Sequence, residues 1–88
     1  MQVIICAPTL FALEVPIYLL KDGETEAKTI GYFQTAELDQ ALFTLAIAKD
    51  ASTIIIKGDN EYNKTVAEKI RTRIENEYST NKITVIVD

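Results

Sequence analysis

Hydrophobic positions along the 88-residue chain alternate between short β-branched runs and longer segments with helical spacing. The clearest strand lies in residues 52–60, where three consecutive isoleucines are followed by Gly58-Asp59-Asn60. A continuous apolar run of this kind is typical of a central strand in an α/β sheet. Residues 2–7 have the same character, and we expect that first strand to be covered on both faces. Residues 83–87 predict a last strand.

Residues 10–20 are harder to interpret, because apolar and other residues alternate but Pro16 interrupts the pattern. Proline cannot donate a ladder hydrogen bond, so it implies an edge position, a bulge or a late strand start. A short helical turn over residues 9–13, followed by a strand from Pro16, is an alternative. Asp22-Gly23 then predicts a tight type I′ hairpin turn, with a returning strand over residues 27–33.

Two helices are predicted between the later strands. Over residues 36–50, apolar residues recur at helical spacing on more than one side, so we expect this helix to pack between the sheet and another element. Thr35 is its expected N-cap. A second helix is indicated by Tyr62, Val66, Ile70, Ile74 and Tyr78, which follow one another every four residues. Asp59, Asn60 or Asn63 is expected to cap it.

The predicted order is therefore β-β-β-α-β-α-β. Right-handed crossovers and the hairpin place the strands in a single mixed five-stranded sheet of order 3-2-1-4-5, with two main helices. Eighty-eight residues suffice for one α/β domain, residues 1–88, with a single core.

Charge and cysteine content narrow the functional classes. The net charge of −4 disfavours nucleic-acid and anionic-membrane binding, because phosphates require clustered positive charge. The basic residues of the last third alternate with acidic ones at i,i+4, which predicts ion pairs on a solvated helix face: Lys64 with Glu68, Arg71 with Glu75 and Arg73 with Glu77. A single cysteine, Cys6, allows no internal disulfide and favours a cytoplasmic setting. We expect neither a secretory leader nor a membrane-spanning helix.

The candidate chemistry is sparse. There is no histidine, which removes the usual Cys-His and Ser-His-Asp arrangements, so Cys6 is predicted to be a buried structural thiol. Gly58, Asp59 and Asn60 lie where α/β sheets favour ligands, which makes them a candidate ligand-binding turn. The competing interpretation is an ordinary strand-to-helix loop that carries an N-cap.

The order of elements resembles the ribonuclease H-like superfold, in a minimal form like the core of the Holliday-junction resolvases. That resemblance implies carboxylates at one sheet edge that bind Mg²⁺ or Mn²⁺ for phosphodiester hydrolysis, the first midway along strand 1. Here Cys6 or Ala7 occupies that position. Asp59 and Asp88 follow the last two strands at the expected edge, with Glu14 or Glu37 as further candidates. Two-metal chemistry usually needs more oxygen ligands, so a degenerate or never-catalytic relative is predicted.

Exposed apolar surface suggests association instead. Residues 10–20 carry more apolar area than one small sheet face should expose, and residues 83–87 form an expected edge strand, which invites pairing. The predicted interface consists of Phe11, Leu13, Val15, Ile17, Leu19, Ile83, Val85 and Val87.

Three functions follow, in order of preference. The first is a non-enzymatic accessory module without a cofactor that binds a protein partner, either as a homodimer or as a heterologous complex. Small autonomous intracellular proteins of this kind are often accessory or regulatory factors, including those of phages and mobile elements. The second is a Mg²⁺- or Mn²⁺-dependent nuclease relative that uses Asp59 and Asp88. The third is a small-ligand or nucleotide sensor at the Gly58–Asn60 edge.

Overall fold

A computed structural model describes residues 2–9, 12–77 and 82–88. The elements are, in chain order, β1 (Gln2–Cys6), β2 (Glu14–Leu20), β3 (Lys28–Gln34), a 3₁₀ turn (Thr35–Glu37), α1 (Leu38–Ala48), β4 (Ala51–Ile56), α2 (Glu61–Glu77) and β5 (Thr84–Val87). The strands form one sheet in the order β3-β2-β1-β4-β5. β2 is antiparallel to both its neighbours, while β1, β4 and β5 are parallel. This small α/β domain confirms the predicted class and strand order.

Both helices cover the same face of the sheet. The two crossovers run in the same direction across the sheet, and right-handed connections then place α1 and α2 side by side. α1 packs on β1, β3, β4 and α2, as expected for a helix between the sheet and another element, and α2 packs on β5. The protein is therefore two layers deep, with extents of 33 × 31 × 20 Å. The core between the layers consists of Ile4, Cys6, Val15, Ile17, Leu19, Leu38, Leu42, Phe43, Ala46, Ala51, Ile54, Ile56, Val66, Ala67, Ile70, Ile74 and Val85.

The first strand is covered on one face only, so the prediction of two covered faces is wrong. Ile4 and Cys6 are fully buried beneath the helices, whereas Val3 and Ile5 are partly exposed on the opposite face. Successive side chains of a strand point to opposite faces. A continuous apolar run therefore indicates that the strand has apolar side chains on both faces, but it does not show that a layer of helices covers each face.

Strand β2 begins at Glu14, so residues 10–20 are not one continuous strand. Before β2, the Ala12 amide donates to the Thr9 carbonyl (3.2 Å). Pro16 faces Tyr32 of β3, and pairing with β1 starts only at Ile17. The missing amide hydrogen is tolerated because Pro16 precedes the part of β2 that has two neighbours. Leu10 and Phe11 lie outside the described residues.

The hairpin between β2 and β3 is wider than predicted, since residues 21–27 separate the two strands. The Glu24 amide donates to the Lys21 carbonyl (3.0 Å) and closes a turn within this loop. Gly23 has a positive φ of 84° while Asp22 does not. A type I′ turn requires positive φ at both central residues, so that prediction is wrong.

Helix α1 starts without a side-chain cap, so Thr35 is not its N-cap. The Thr35 hydroxyl instead donates to the Ala12 carbonyl (2.6 Å), which ties the 3₁₀ turn to the start of β2. Asn60 does cap α2, because its Oδ1 accepts the Asn63 amide at 2.8 Å. The predicted stripe of α2 is buried at Val66, Ile70 and Ile74. Tyr62 is 38% exposed, and Tyr78 lies outside the described residues.

Candidate functional site

Most of the residues predicted to form an interface are buried in the hydrophobic core of the chain itself. Val15, Ile17 and Leu19 are 1%, 0% and 4% exposed beneath the helices, and Val85 is 6% exposed. Ile83 and Val87 are half-buried against the same core. Leu13 is 86% exposed, but it stands before β2 and apart from the others. The alternation along β2 thus identifies the covered face of the sheet, because Val15, Ile17 and Leu19 are buried under the helices and are not exposed to a partner.

The opposite face of the sheet carries apolar side chains that neither α1 nor α2 covers. Strand pairing places Tyr18, Ile5, Ile55 and Ile86 in one row across four strands. Tyr32 is 66% and Ile86 41% exposed on this face. We call this surface the open sheet face, and it comprises Val3, Ile5, Pro16, Tyr18, Leu20, Tyr32, Thr53, Ile55, Thr84 and Ile86.

Charged residues on the open sheet face lie at its carboxyl end. Successive side chains of a strand alternate between the two faces, so Lys57 and Asp88, which directly follow β4 and β5, lie on the open sheet face. Glu14, the first residue of β2, lies at the same end of the sheet. The Lys57 ammonium contacts the Asp88 carboxylate at 2.6 Å. This hydrogen bond and the positive charge of Lys57 lower the pKa of Asp88. The central rows of the face are apolar or threonine.

The two candidate metal ligands, Asp59 and Asp88, follow neighbouring parallel strands at one sheet edge, as the sequence predicts. Each forms an exposed ion pair, Asp88 with Lys57 and Asp59 with Lys64 (3.3 Å). Glu14 and Glu37 are exposed as well. Within residues 2–9, 12–77 and 82–88, no three cysteine, aspartate or glutamate side chains come together as a metal-binding group.

The loop from Gly58 to Asn60 uses its polar groups internally. Gly58 has a φ of 116°, a conformation that favours glycine, and its amide donates to the Asp88 carbonyl at 2.9 Å. Asn60 caps α2 through its side chain. The structure thus contains the helix N-cap that was expected of an ordinary strand-to-helix loop. Ligand binding by Gly58, Asp59 and Asn60 stays a prediction.

Asn63 anchors this loop, a role that the sequence did not single out. Its side chain is fully buried, and its Nδ2 donates to the carbonyls of Lys57 (3.0 Å) and Gly58 (2.8 Å). Its Oδ1 has no hydrogen-bond partner among the described residues. The available signal was an asparagine at helical spacing from Val66, Ala67 and Ile70, on the face of α2 that packs on the sheet.

Arg71 covers part of the free edge of β5. Its guanidinium donates to the Val85 carbonyl (2.7 Å) and also pairs with Glu68. The predicted pair of Arg71 with Glu75 is therefore wrong, since the guanidinium is directed toward the sheet edge. The predicted Arg73–Glu77 pair is present at 3.1 Å.

A groove of about 780 Å³ lies between the start of β2, the 3₁₀ turn and α2. Leu13, Gln34, Thr35, Tyr62 and Lys69 are among its lining residues. The Tyr62 hydroxyl donates to the Thr35 carbonyl at 3.0 Å, and partial burial followed by the nearby charge of Asp39 raises the pKa of Tyr62. This groove is not predicted from local sequence patterns, because three separate segments of the chain line it.

Cys6 is fully buried, as predicted. Burial raises the pKa of its thiol from 9.0 to about 12. The thiolate is the nucleophilic form of cysteine, so the thiol of the folded protein is neutral and shielded at physiological pH.

Neither a protein-family model nor a curated protein matches the sequence. Within the described part of the chain, neither helix is long and apolar enough to cross a membrane.

Proposed function

We propose that this protein is a non-enzymatic interaction module and that the open sheet face is its binding surface. The single observation that carries the proposal is a sheet with both helices on one face and an apolar row of Tyr18, Ile5, Ile55 and Ile86 on the other. Contiguous exposed apolar surface of several hundred Å² marks interaction sites in proteins. The partner is a protein, either a second copy or a heterologous chain.

The chemistry elsewhere supports binding over catalysis. Asp59 and Asp88 are each paired with a lysine, and the Cys6 thiol is held neutral by burial. A lone unpaired cysteine also suits a reducing cytoplasm. An accessory role in a larger assembly fits both features, because such a protein needs a stable surface and no reactive group.

The test is site-specific photo-crosslinking in the native cell. Benzoylphenylalanine replaces Ile86 on the open sheet face in one strain and Thr72, an exposed residue of α2, in the control strain. We expect a discrete cross-linked product from position 86 that position 72 does not give, with mass spectrometry identifying the captured chain. The same pattern of products from both positions, or no product from position 86, would overturn the proposal.

The second candidate function is the metal-dependent nuclease. It is favoured by the position of Asp59 and Asp88 at one edge of a sheet with the strand order of the ribonuclease H-like superfold. It requires that a divalent cation displace the lysine partner from each carboxylate, because both aspartates already form ion pairs. The melting temperature in the presence of Mg²⁺ or Mn²⁺ tests it, because a cation that binds the folded protein raises this temperature.

A further inference from the structure

We propose that a second copy of this chain occupies the open sheet face, packed face to face across a two-fold axis that runs along β1. This inference rests on the proposed function of the face and specifies its partner. The result is a four-layer dimer in which the two sheets are inside and the helices are outside. Sheets packed in this way align within about 30° of each other and lie about 10 Å apart.

The distribution of side-chain sizes makes the face complementary to itself. Strand β1 is the middle strand, so a two-fold axis along it places β2 and β3 of one copy over β4 and β5 of the other. The β2–β3 half carries the bulky Tyr18 and Tyr32, while the β4–β5 half carries the smaller Ile55 and Ile86. The large half of each copy thus meets the small half of its partner, and Ile5 packs near the axis.

The charges at the carboxyl end follow the same symmetry. Glu14 begins β2 and Lys57 follows β4, on opposite sides of β1. The two-fold operation therefore brings Lys57 of one copy toward Glu14 of the partner subunit, twice per dimer. The net charge of −4 on each copy produces a long-range repulsion that salt screens, while the centre of the face is uncharged and its rim carries both signs.

The size of the face suits a reversible dimer. Five strands about 4.8 Å apart, each rising about 3.3 Å per residue, give a flat area of roughly 24 × 20 Å, or about 480 Å² per copy. Two copies then bury about 960 Å² of flat area in total; the relief of the side chains adds to this value, while the short strand β5 (four residues) reduces it. Stable interfaces start at about 1,200 Å² in total. We therefore expect association in the micromolar range.

The sheet edges are less suited to self-association. At β5, Arg71 already occupies the outward Val85 carbonyl, and the strand is four residues long. At β3, an extra residue, Ile30, shifts the register, and Lys28 lies at the end of the strand. Bulges and charged side chains are devices that prevent edge pairing. Among the described residues, the central rows of the open sheet face carry no charged side chain, and charges lie only at its carboxyl end.

The experiment is analytical ultracentrifugation of the purified full chain from about 1 to 300 µM. We expect a monomer–dimer equilibrium with a Kd of about 1–50 µM, typical of a small reversible interface. Tyr32→Ser and Ile86→Ser should each raise the Kd about tenfold, and Ile55→Glu at the centre should raise it at least about 100-fold. The exposed helix variant Thr72→Ser is the matched control and should leave the Kd unchanged. Tyr32 and Ile86 are exposed in the monomer, so their variants should keep the circular dichroism spectrum of the parent.

Two results would overturn self-association through this face. One is a monomer throughout the concentration range. The other is a dimer that survives Tyr32→Ser and Ile86→Ser but is lost in Val87→Pro, which removes an outward amide of β5 and would reveal edge pairing. A monomer whose position 86 still cross-links to a different chain in the cell would refute the second copy but retain the interaction module. A monomer without any cross-link would refute both.

Discussion

The buried side chain of Asn63 holds the loop between β4 and α2, and its removal offers a quantitative test of the structure. Its Nδ2 satisfies the carbonyls of Lys57 and Gly58, while its Oδ1 accepts no hydrogen bond from the described residues. The amide nitrogen is therefore the atom that stabilises the loop. Each intramolecular hydrogen bond contributes about 0.5–1.5 kcal/mol net. We expect Asn63→Ala to lower the free energy of unfolding by about 2 kcal/mol.

Asn63→Asp preserves the shape of the side chain but replaces both donor hydrogens with a carboxylate directed at two carbonyl oxygens. A buried charge without a partner costs several kcal/mol, so we expect a loss of at least about 4 kcal/mol at pH 7. Domains of this size are typically stable by about 4–13 kcal/mol in total. This variant is therefore expected to be close to unfolding at neutral pH.

The two Asn63 variants should also differ in their pH dependence. Burial raises the pKa of the carboxyl group introduced by Asn63→Asp above its value of about 3.9 in the unfolded chain. The folded variant then binds the proton more tightly, so its stability is highest below pH 3.9 and falls as the pH rises through the raised pKa. Asn63→Ala introduces no titrating group, and its loss of stability should be the same at pH 4 and pH 7.

Urea unfolding followed by circular dichroism at pH 4, 5.5 and 7 measures these differences. Asn76→Asp, at an exposed position of the same helix, is the matched control and should change stability by less than about 0.5 kcal/mol. Equal stability of Asn63→Asp and the parent chain at pH 7 would show that the Asn63 amide does not anchor the loop.

Three further outcomes are expected. Gly58→Ala should destabilise the protein by about 2–3 kcal/mol in urea, since the added Cβ would lie 2.8 Å from Asn63 Nδ2 and the φ of 116° is strained for alanine. Gly23→Ala is the control, because Gly23 also has a positive φ (84°) but the added Cβ would have nothing within 4 Å; this variant should lose only about 1 kcal/mol of stability. Equal losses of stability in the Gly58→Ala and Gly23→Ala variants would refute a destabilising contact between the added Cβ at position 58 and Asn63. Cys6 should react with Ellman's reagent only after unfolding, and rapid labelling of the folded protein would contradict its burial. Because burial raises the pKa of this thiol, the free energy of unfolding should fall as the pH rises from 9.0 toward 12 in the parent chain, and it should fall less in Cys6→Ala. Mg²⁺ or Mn²⁺ at about 10 mM, which is about a hundred times the dissociation constant of a weak cation site, should leave the melting temperature unchanged. A rise in the melting temperature that Asp59→Asn and Asp88→Asn both abolish would favour the nuclease.

Residue periodicity and the handedness of crossovers were sufficient to predict the class of the fold and the order of the sheet. The isoleucine run at residues 54–56 and the helical spacing of Val66, Ile70 and Ile74 reflect local periodicity, and handedness rules then leave one arrangement of strands. Burial of Cys6 was predictable for a related reason, because a cysteine inside an apolar strand of a protein without histidine has little chemistry open to it.

Local signals were less reliable where a tertiary contact used the same atoms. Thr35 has the sequence context of an N-cap, yet its hydroxyl bonds to the Ala12 carbonyl. Arg71 has the spacing of a helical ion pair with Glu75, yet its guanidinium reaches β5 and Glu68. In both cases a partner distant in sequence, or a different partner along the helix, competes with the local one.

The face of the sheet that the helices cover was not predictable from the pattern of apolar residues, and it is visible only in the tertiary structure. An apolar strand such as β1 presents similar side chains on both faces, and periodicity does not reveal on which side a crossover passes. The direction and handedness of both crossovers place α1 and α2 on the face of Ile4 and Ile17. Ile5 and Ile55 therefore lie on the open sheet face, and the surface most suited to binding consists of residues that the sequence pattern alone assigns to a core.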